Sequence, residues 1–506
     1  TKDIEVAQKT SAGIYVKNES AQDKNNSLAE NTGSIKMTGE SSVGIIAEKS
    51  KVTNSGTGAN GIEISGNSSA GILATKESEV TNSGRIEGNT GTKLVGISVD
   101  ETSTVINSGS IIMNTAQNTG IASKGGQVTN SGTITLVKNN STGISAENAD
   151  VTNTSIIKAK DKESVGIYAK NNTGTLNINA PIYVGNSTST ATTIGVYSDG
   201  DAKVKFGEGS KLKIGEKAVG IYLKGTSKLL GNKVTLKQTA TGTLAGKVGI
   251  LAETLTNKTL NTEVVADTGV NDVIAYYSKG NGALTVEADI SLNENSTGIT
   301  GEDTEDLVYS GSKTMKLGKK STGIYGQKNI NFTSGSNIEL NGDKSVGVFA
   351  KGTSGVIGSN GNIKFTKENS IGLYGANGAT INDKTASMDF TNINAKNNIG
   401  AYLAGAKWVD SRSGAYTFSP DHARNNIYLF AQGGNDGTTD LGSTATLNNE
   451  FKVNPSGSAT STAKAIGMYF NTAVKDKTTF VDNTLDMTNA NAKISVTNSG
   501  IGIYTK

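Results

Sequence analysis

The chain has 506 residues, with 63 Gly, 3 Pro, no Cys and aromatics at only 5%, and its 48 Lys and Arg against 45 Asp and Glu leave a formal net charge of +3. These figures exclude disulfides, thiol chemistry and Cys-based metal sites, offer no basic run to hold nucleic acid, and supply few large apolar residues for a thick enzyme core. No stretch of about 18 apolar residues occurs, so no helix of this sequence would span a membrane.

One phrase recurs from end to end. Ser164-Val165-Gly166-Ile167-Tyr168-Ala169-Lys170 has counterparts at 42–48, 218–224 and 345–351, with further copies anchored on Gly13, Gly71, Gly96, Gly120, Gly143, Gly195, Gly249, Gly298, Gly323, Gly372, Gly400, Gly467 and Gly502. Degenerate copies lie at Ala275-Tyr276-Tyr277 and Asn426-Ile427-Tyr428. Between Gly44 and Asn426 the spacing is about 23 to 29 residues, the period of a solenoid. The units are rich in Gly, Thr, Val and Ile with two-residue alternation, which argues for strands rather than helices. The expected fold is therefore all-β, a parallel β-helix (β-solenoid) of about 19 coils of roughly 25 residues. Strict alternation would turn Val165, Ile167 and Ala169 inward and Gly166, Tyr168 and Lys170 outward.

Taken in order, residues 1–404 read as β-helix coils. The chain begins Thr1-Lys2-Asp3 without an initiator Met or an apolar leader and ends inside a copy of the motif, as expected of a piece of a longer array lacking its C-terminal cap. A second phrase, Val52-Thr53-Asn54-Ser55-Gly56, returns at 80–84, 105–109, 128–132, 151–155 and 496–500. Asn-Ser-Gly is turn chemistry, with positive φ at Gly and side-chain to backbone bonds from Asn. Stacked coil upon coil, Asn54, Asn82, Asn107, Asn130 and Asn153 would form an amide ladder, a structural rather than a ligand-binding row. Between 195 and 309 the phrase disappears and acidic clusters enter. Residues 405–465 read as β-helix with irregular excursions, at 405–425 and 432–462, and 466–506 as coils that continue beyond the chain.

The Tyr position of the motif predicts an outward aromatic stripe, Tyr168, Tyr197, Tyr222, Tyr325, Phe349, Tyr374, Tyr402, Tyr469 and Tyr504. It would serve either as a stacking surface for sugars and receptor loops or, the favoured reading, as cover for the glycine row. The better candidate for partner binding is the stretch holding the only Trp, the only His and two of the three Arg: Trp408, Arg412, Tyr416, Phe418, His422 and Arg424. These residue types dominate interface hot spots, and here they fall on an expected loop, although a packed loop would use them too. Catalysis has little support: one His without a motif, and two carboxylate pairs, Asp199/Asp201 and Asp303/Glu305, in turn-like contexts. Residues 433–440 are acidic and Gly-rich but match neither the EF-hand loop nor the β-roll nonapeptide, so neither a metal nor any other cofactor is expected.

Gly-Ile-Tyr strands, Val-Thr-Asn-Ser-Gly turns, the absence of Cys and the scarcity of Pro together resemble the passenger region of large type V autotransporter adhesins, above all the very long fusobacterial-type members. The resemblance covers essentially the whole chain, through low-complexity repeats. It implies a right-handed parallel β-helix displayed on the outer surface of the cell by a C-terminal membrane barrel absent from this chain. It also implies a protein receptor or glycan on host or bacterial cells as partner. A structural spacer stalk and a β-helical polysaccharide-degrading enzyme are the alternatives.

Overall fold

A computed structural model describes residues 3–19, 27–58, 61–188, 190–238, 246–280, 282–457 and 464–506. The protein is all-β apart from isolated short turns of 3-10 helix such as His422–Arg424, and it divides into two compact units, 1–257 and 258–506. Each unit is a solenoid of parallel β-strands. Regular coils carry three strands, and sixteen strands of the third type make roughly 16 regular turns, slightly fewer than the expected 19.

In the first unit one coil consists of Val165–Lys170, Thr175–Ile178 and Ile182–Val184. Each strand pairs in register with its equivalent in the next coil: Ile167 with Val196, Leu176 with Val204, Ile182 with Leu212. Because the repeats place the same residue at the same position, the core is built from columns. Ile72, Ile97, Ile121, Ile144 and Ile167 form one, Val80, Val105, Val128 and Val151 another, and Ile86, Ile111, Ile134 and Ile157 a third, none more than 2% exposed. β-Branched side chains suit such a pleated wall, and each buried one contributes roughly 1.5–3 kcal/mol.

The motif strand breaks the expected alternation. Val165 is only half-buried, Gly166 and Ile167 are both buried, Tyr168 is half-buried, Ala169 is buried and Lys170 exposed. Ile and Ala face the core as expected, but Val and Gly have exchanged roles. A Cβ on Gly166 would lie 2.6 Å from the Gly195 carbonyl oxygen and 2.7 Å from an Ile182 methyl. Glycine is thus required for space: the coil is too narrow there for any side chain. Rings and glycines consequently lie on opposite faces, and the expectation that each ring covers the glycine row is corrected.

The corner before each motif strand is a second device. Ser68, Asn140 and Glu163 adopt φ of 57°, 54° and 59°, and each is followed by a buried Ser. The hydroxyl of that Ser accepts a backbone N–H from the adjacent coil, as in Ser42 N to Ser69 Oγ at 3.0 Å and Ser141 N to Ser164 Oγ at 3.4 Å.

The Asn row is a continuous ladder. Asn54, Asn82, Asn107 and Asn130 each donate through Nδ2 to the Oδ1 of the next, ending on Asn153, at 2.6–2.7 Å. Asn31 extends it by one rung at 2.8 Å. The same amides also reach the carbonyl two residues on, as Asn130 does to Gly132 at 2.9 Å. The glycine of this phrase does not take positive φ, contrary to expectation. It is needed because a Cβ on Gly132 would sit 1.8 Å from the Gly109 carbonyl oxygen. Past Asn153 the ladder position is held by Ile178 and Phe206 in register, so the solenoid continues through the less regular sequence on an apolar column.

In the second unit the core becomes aromatic. Phe332, Phe365, Trp408, Phe418, Tyr428 and Phe451 are at most 1% exposed, and Phe365 stacks on Phe390 at 4.4 Å. The segment 405–465 lies within this unit. Residues 405–425 are largely coil rather than excursion: Lys407–Asp410 pairs with Thr380–Asp383, and Tyr416–Phe418 with Glu450–Val453. True excursions occur further on, as two hairpins. The end of the second expected excursion, 458–462, lies outside the described residues.

Candidate binding surface

The six residues expected to contact a partner are turned inward or tied to the coil, a correction of the exposed-loop reading. Trp408 is fully buried and donates from Nε1 to Asp383 Oδ2 at 3.1 Å. Tyr428 donates to the same oxygen at 2.7 Å and accepts from Arg412 Nη1 at 2.7 Å. Arg412 also donates through Nε to Asp410 at 2.7 Å and lies 4.2 Å from the Tyr416 ring centroid, with its side chain 8% exposed. Burial pushes the Tyr428 phenol well above its ordinary range. Phe418 meets Phe390 edge-on at 5.3 Å. His422 is fully buried, with Nε2 2.7 Å from the Asn498 carbonyl and Nδ1 accepting from Ala465 N at 3.3 Å, partners that assign the proton to Nε2. Arg424 donates to the carbonyls of Phe390, Thr391 and Asn392 at 2.6–3.2 Å. The buried carboxylates Asp383 and Asp410 explain why polar residues cluster here: they accept from Trp408, Tyr428 and Arg412 inside the coil, with Arg412 Nη2 alone of this group buried without a partner.

A different surface emerges on the motif side. Tyr325, Phe349, Tyr374, Tyr402, Phe430, Tyr469 and Tyr504 occupy successive rungs with centroids 4.4–5.3 Å apart. Several pairs are nearly parallel, Phe349 and Tyr374 at 7° and Phe430 and Tyr469 at 9°. Rings stacked on one another spend their faces on neighbours, so the column offers mainly edges and hydroxyls to a ligand. Burial raises the Tyr374 and Tyr402 phenols above their ordinary range. In the first unit Tyr168, Tyr197 and Tyr222 form a shorter column, and burial together with Asp199 raises Tyr197 to about 12.

Two hairpins stand beside the long column. Ile427–Asn435 overruns its coil and returns through Asp440–Leu441, with Gly434 opposite Leu441. The turn is closed by Asp436, whose Oδ1 accepts the backbone N–H groups of Thr438 and Thr439 at 2.8 and 2.7 Å. The second hairpin leaves Ile466–Val474 and returns at Phe480, which pairs with Ala473 and is 73% exposed. Asp440 joins the two, accepting from Lys477 Nζ at 2.7 Å and from Thr479 Oγ1 at 2.7 Å. Lys477, Thr479 and Asn435 hold its carboxyl down at about 2. Rings and hairpins enclose a groove of about 370 Å³ lined by Tyr325, Phe349, Tyr374, Lys351, Asn435, Lys475 and Asp476. The sequence signal for it was the lengthened interval between Gly400 and Gly467: the first hairpin falls within the expected excursion at 432–462, and the second, closed at Phe480, lies beyond it.

The two carboxylates of the Asp303/Glu305 pair have different partners. Asp303 is engaged by Gln327, whereas Glu305 is buried against Lys258 Nζ at 2.9 Å. Among the described residues no group of three or more His, Asp or Glu could hold a metal ion, and in 433–440 the acidic side chains serve the hairpin itself. Among the described residues no helix is long and apolar enough to cross a membrane. Neither protein-family models nor curated proteins nor solved structures match this chain.

Proposed function

We propose that the protein is an adhesive β-solenoid, displayed at the cell surface, that holds a partner-binding groove on its second unit. The observation that carries this reading is the pair of hairpins raised beside a half-buried ring column, with the bare ring of Phe480 at 73% exposure. A large exposed aromatic on the hairpin whose Lys475 and Asp476 line the groove is the composition of an interaction hot spot on a rigid scaffold. The edge-on rings favour a protein segment over a sugar face, so a receptor loop is the preferred partner. Display on an outer membrane through a separate barrel, and attachment to host or bacterial cells, rest on the resemblance given above.

Beads coated with the whole chain should adhere to epithelial or bacterial cells. Phe480→Ala with Lys475→Ala should reduce adhesion at least about tenfold, the typical worth of one central hot-spot residue. Unchanged adhesion by that variant would remove the groove from consideration. The second reading, a spacer, is favoured by the continuous amide ladder from Asn31 to Asn153 in the first unit; a total failure of the wild-type beads to adhere would support it.

A further inference from the structure

A second groove in the same unit lies at the corners preceding four successive motif strands, Thr322–Gly326, Val346–Lys351, Ile371–Ala376 and Ile399–Ala404, which pair rung to rung. It has a volume of about 400 Å³ and is lined by Lys319, Lys367 and Lys396 together with Asp343, Glu368 and Asn394. The three lysines are exposed, and among the described residues none of their ammonium groups has an ion-pair partner. Lys320 and Lys344, also exposed, flank them at the positive-φ positions of two of these corners. The two acidic residues offset this row only in part: Asp343 and Glu368 lie among the lysines, Asp343 Oδ1 accepting the Glu368 backbone N–H at 3.4 Å, against three lysines in the lining and two beside it.

The solenoid sets the spacing of these charges. Lys319 and Lys367 are two rungs apart and Lys396 one rung further, so the row spans roughly 14 Å along the sheet at about 4.8 Å per rung. Lysines held on successive rungs of a trough, at intervals of two rungs and then one, without aromatic rings for base stacking and without the flat breadth a bilayer needs, suit a linear chain with repeated anionic groups. We infer that this corner groove binds a strand of anionic polysaccharide, its sulfates or carboxylates seated on Lys319, Lys367 and Lys396.

The test uses the whole chain and four probes of equal length on a biosensor: a heparin-type sulfated oligosaccharide, a uronate-only oligosaccharide, a neutral dextran oligosaccharide and single-stranded DNA. Binding of the sulfated or the uronate probe, weakening as salt rises, is expected, and which of the two binds names the anion. Lys319→Ser with Lys367→Ser and Lys396→Ser should weaken that binding at least about tenfold, because three charged contacts are lost. Lys203→Ser with Lys205→Ser and Lys228→Ser removes the same charge from exposed positions of the first unit and should leave it within about twofold. Equal losses in both variants, equal binding of DNA, or binding of dextran as tight as that of the charged probes would each overturn the proposal.

Discussion

Substitution of Asn107 by Ala tests the ladder quantitatively. Asn107 is fully buried; its Nδ2 donates to Asn130 Oδ1 at 2.7 Å and to Gly109 O at 3.1 Å, and its Oδ1 accepts from Asn82 at 2.7 Å. Removing the amide leaves Asn130 Oδ1 without its ladder donor, leaves the Gly109 carbonyl without this bond, and reduces Asn82 to its own bond with Gly84 at 3.2 Å. The two acceptors that lose this donor, Asn130 Oδ1 and the Gly109 carbonyl, at about 1–3 kcal/mol each predict a loss of roughly 2–6 kcal/mol in local stability. A repeat protein need not unfold in one step, so the appropriate measurement is hydrogen exchange at the amides of Ser108 and Gly109 and their neighbours one coil away. Adding Asn130→Ala should then cost less than the same change in the wild type, because its unpaired oxygen leaves with it. A single-variant loss under about 0.5 kcal/mol, or strict additivity, would refute the argument that the amides act as one chain.

Glu305→Gln leaves the buried Lys258 ammonium without its counter-charge and should destabilise the second unit by about 3–5 kcal/mol in thermal or exchange measurements; replacing both partners with apolar residues should cost less. Gly166→Ala forces a methyl group to within 2.6 Å of a backbone oxygen and should cost about 1–3 kcal/mol or more, whereas Val165→Ala, at a half-buried position, should cost less. Asp440 has its pKa lowered from 3.8 to about 2, so its contacts with Lys477 and Thr479 stabilise the paired hairpins above pH 3.8 and are lost as pH falls through about 2. NMR titration of the Lys477 and Thr479 resonances should follow that window, and Asp440→Asn should abolish it.

What could be read in advance, and what could not, follows from the kind of signal each feature leaves. The aliphatic columns and the Asn ladder were legible because the repeat puts identical residues one coil apart, so sequence period and spatial neighbour coincide. The orientation of Val165 and Gly166 was not, because alternation assumes an unbroken pleat; the strand instead turns two consecutive residues inward where one lacks a side chain. The cluster around Trp408 misled because hot spots and buried polar networks draw on the same residue types. Its deciding partner, Asp383, lies one repeat earlier, at a separation of 25 residues, so the period that revealed the ladder also contained this pairing. Phe480 and the Asp440 junction left only an irregular interval, since hairpins that leave a solenoid have no periodic counterpart.

The in-register columns of the first unit carry a consequence for how such a chain varies in length. Ile97 and Ile144 occupy the same place in the cross-section, as do Val105 and Val151, or Asn107 and Asn153, although each pair is two coils apart. A cut made at one point of a coil can therefore be rejoined at the same point of another with every column continuous, whereas the loss of one residue inside a strand turns the rest of that strand to the opposite face. Length and cross-section are thereby separate variables: coils can be added or removed by recombination between repeats while the wall each neighbour meets stays the same.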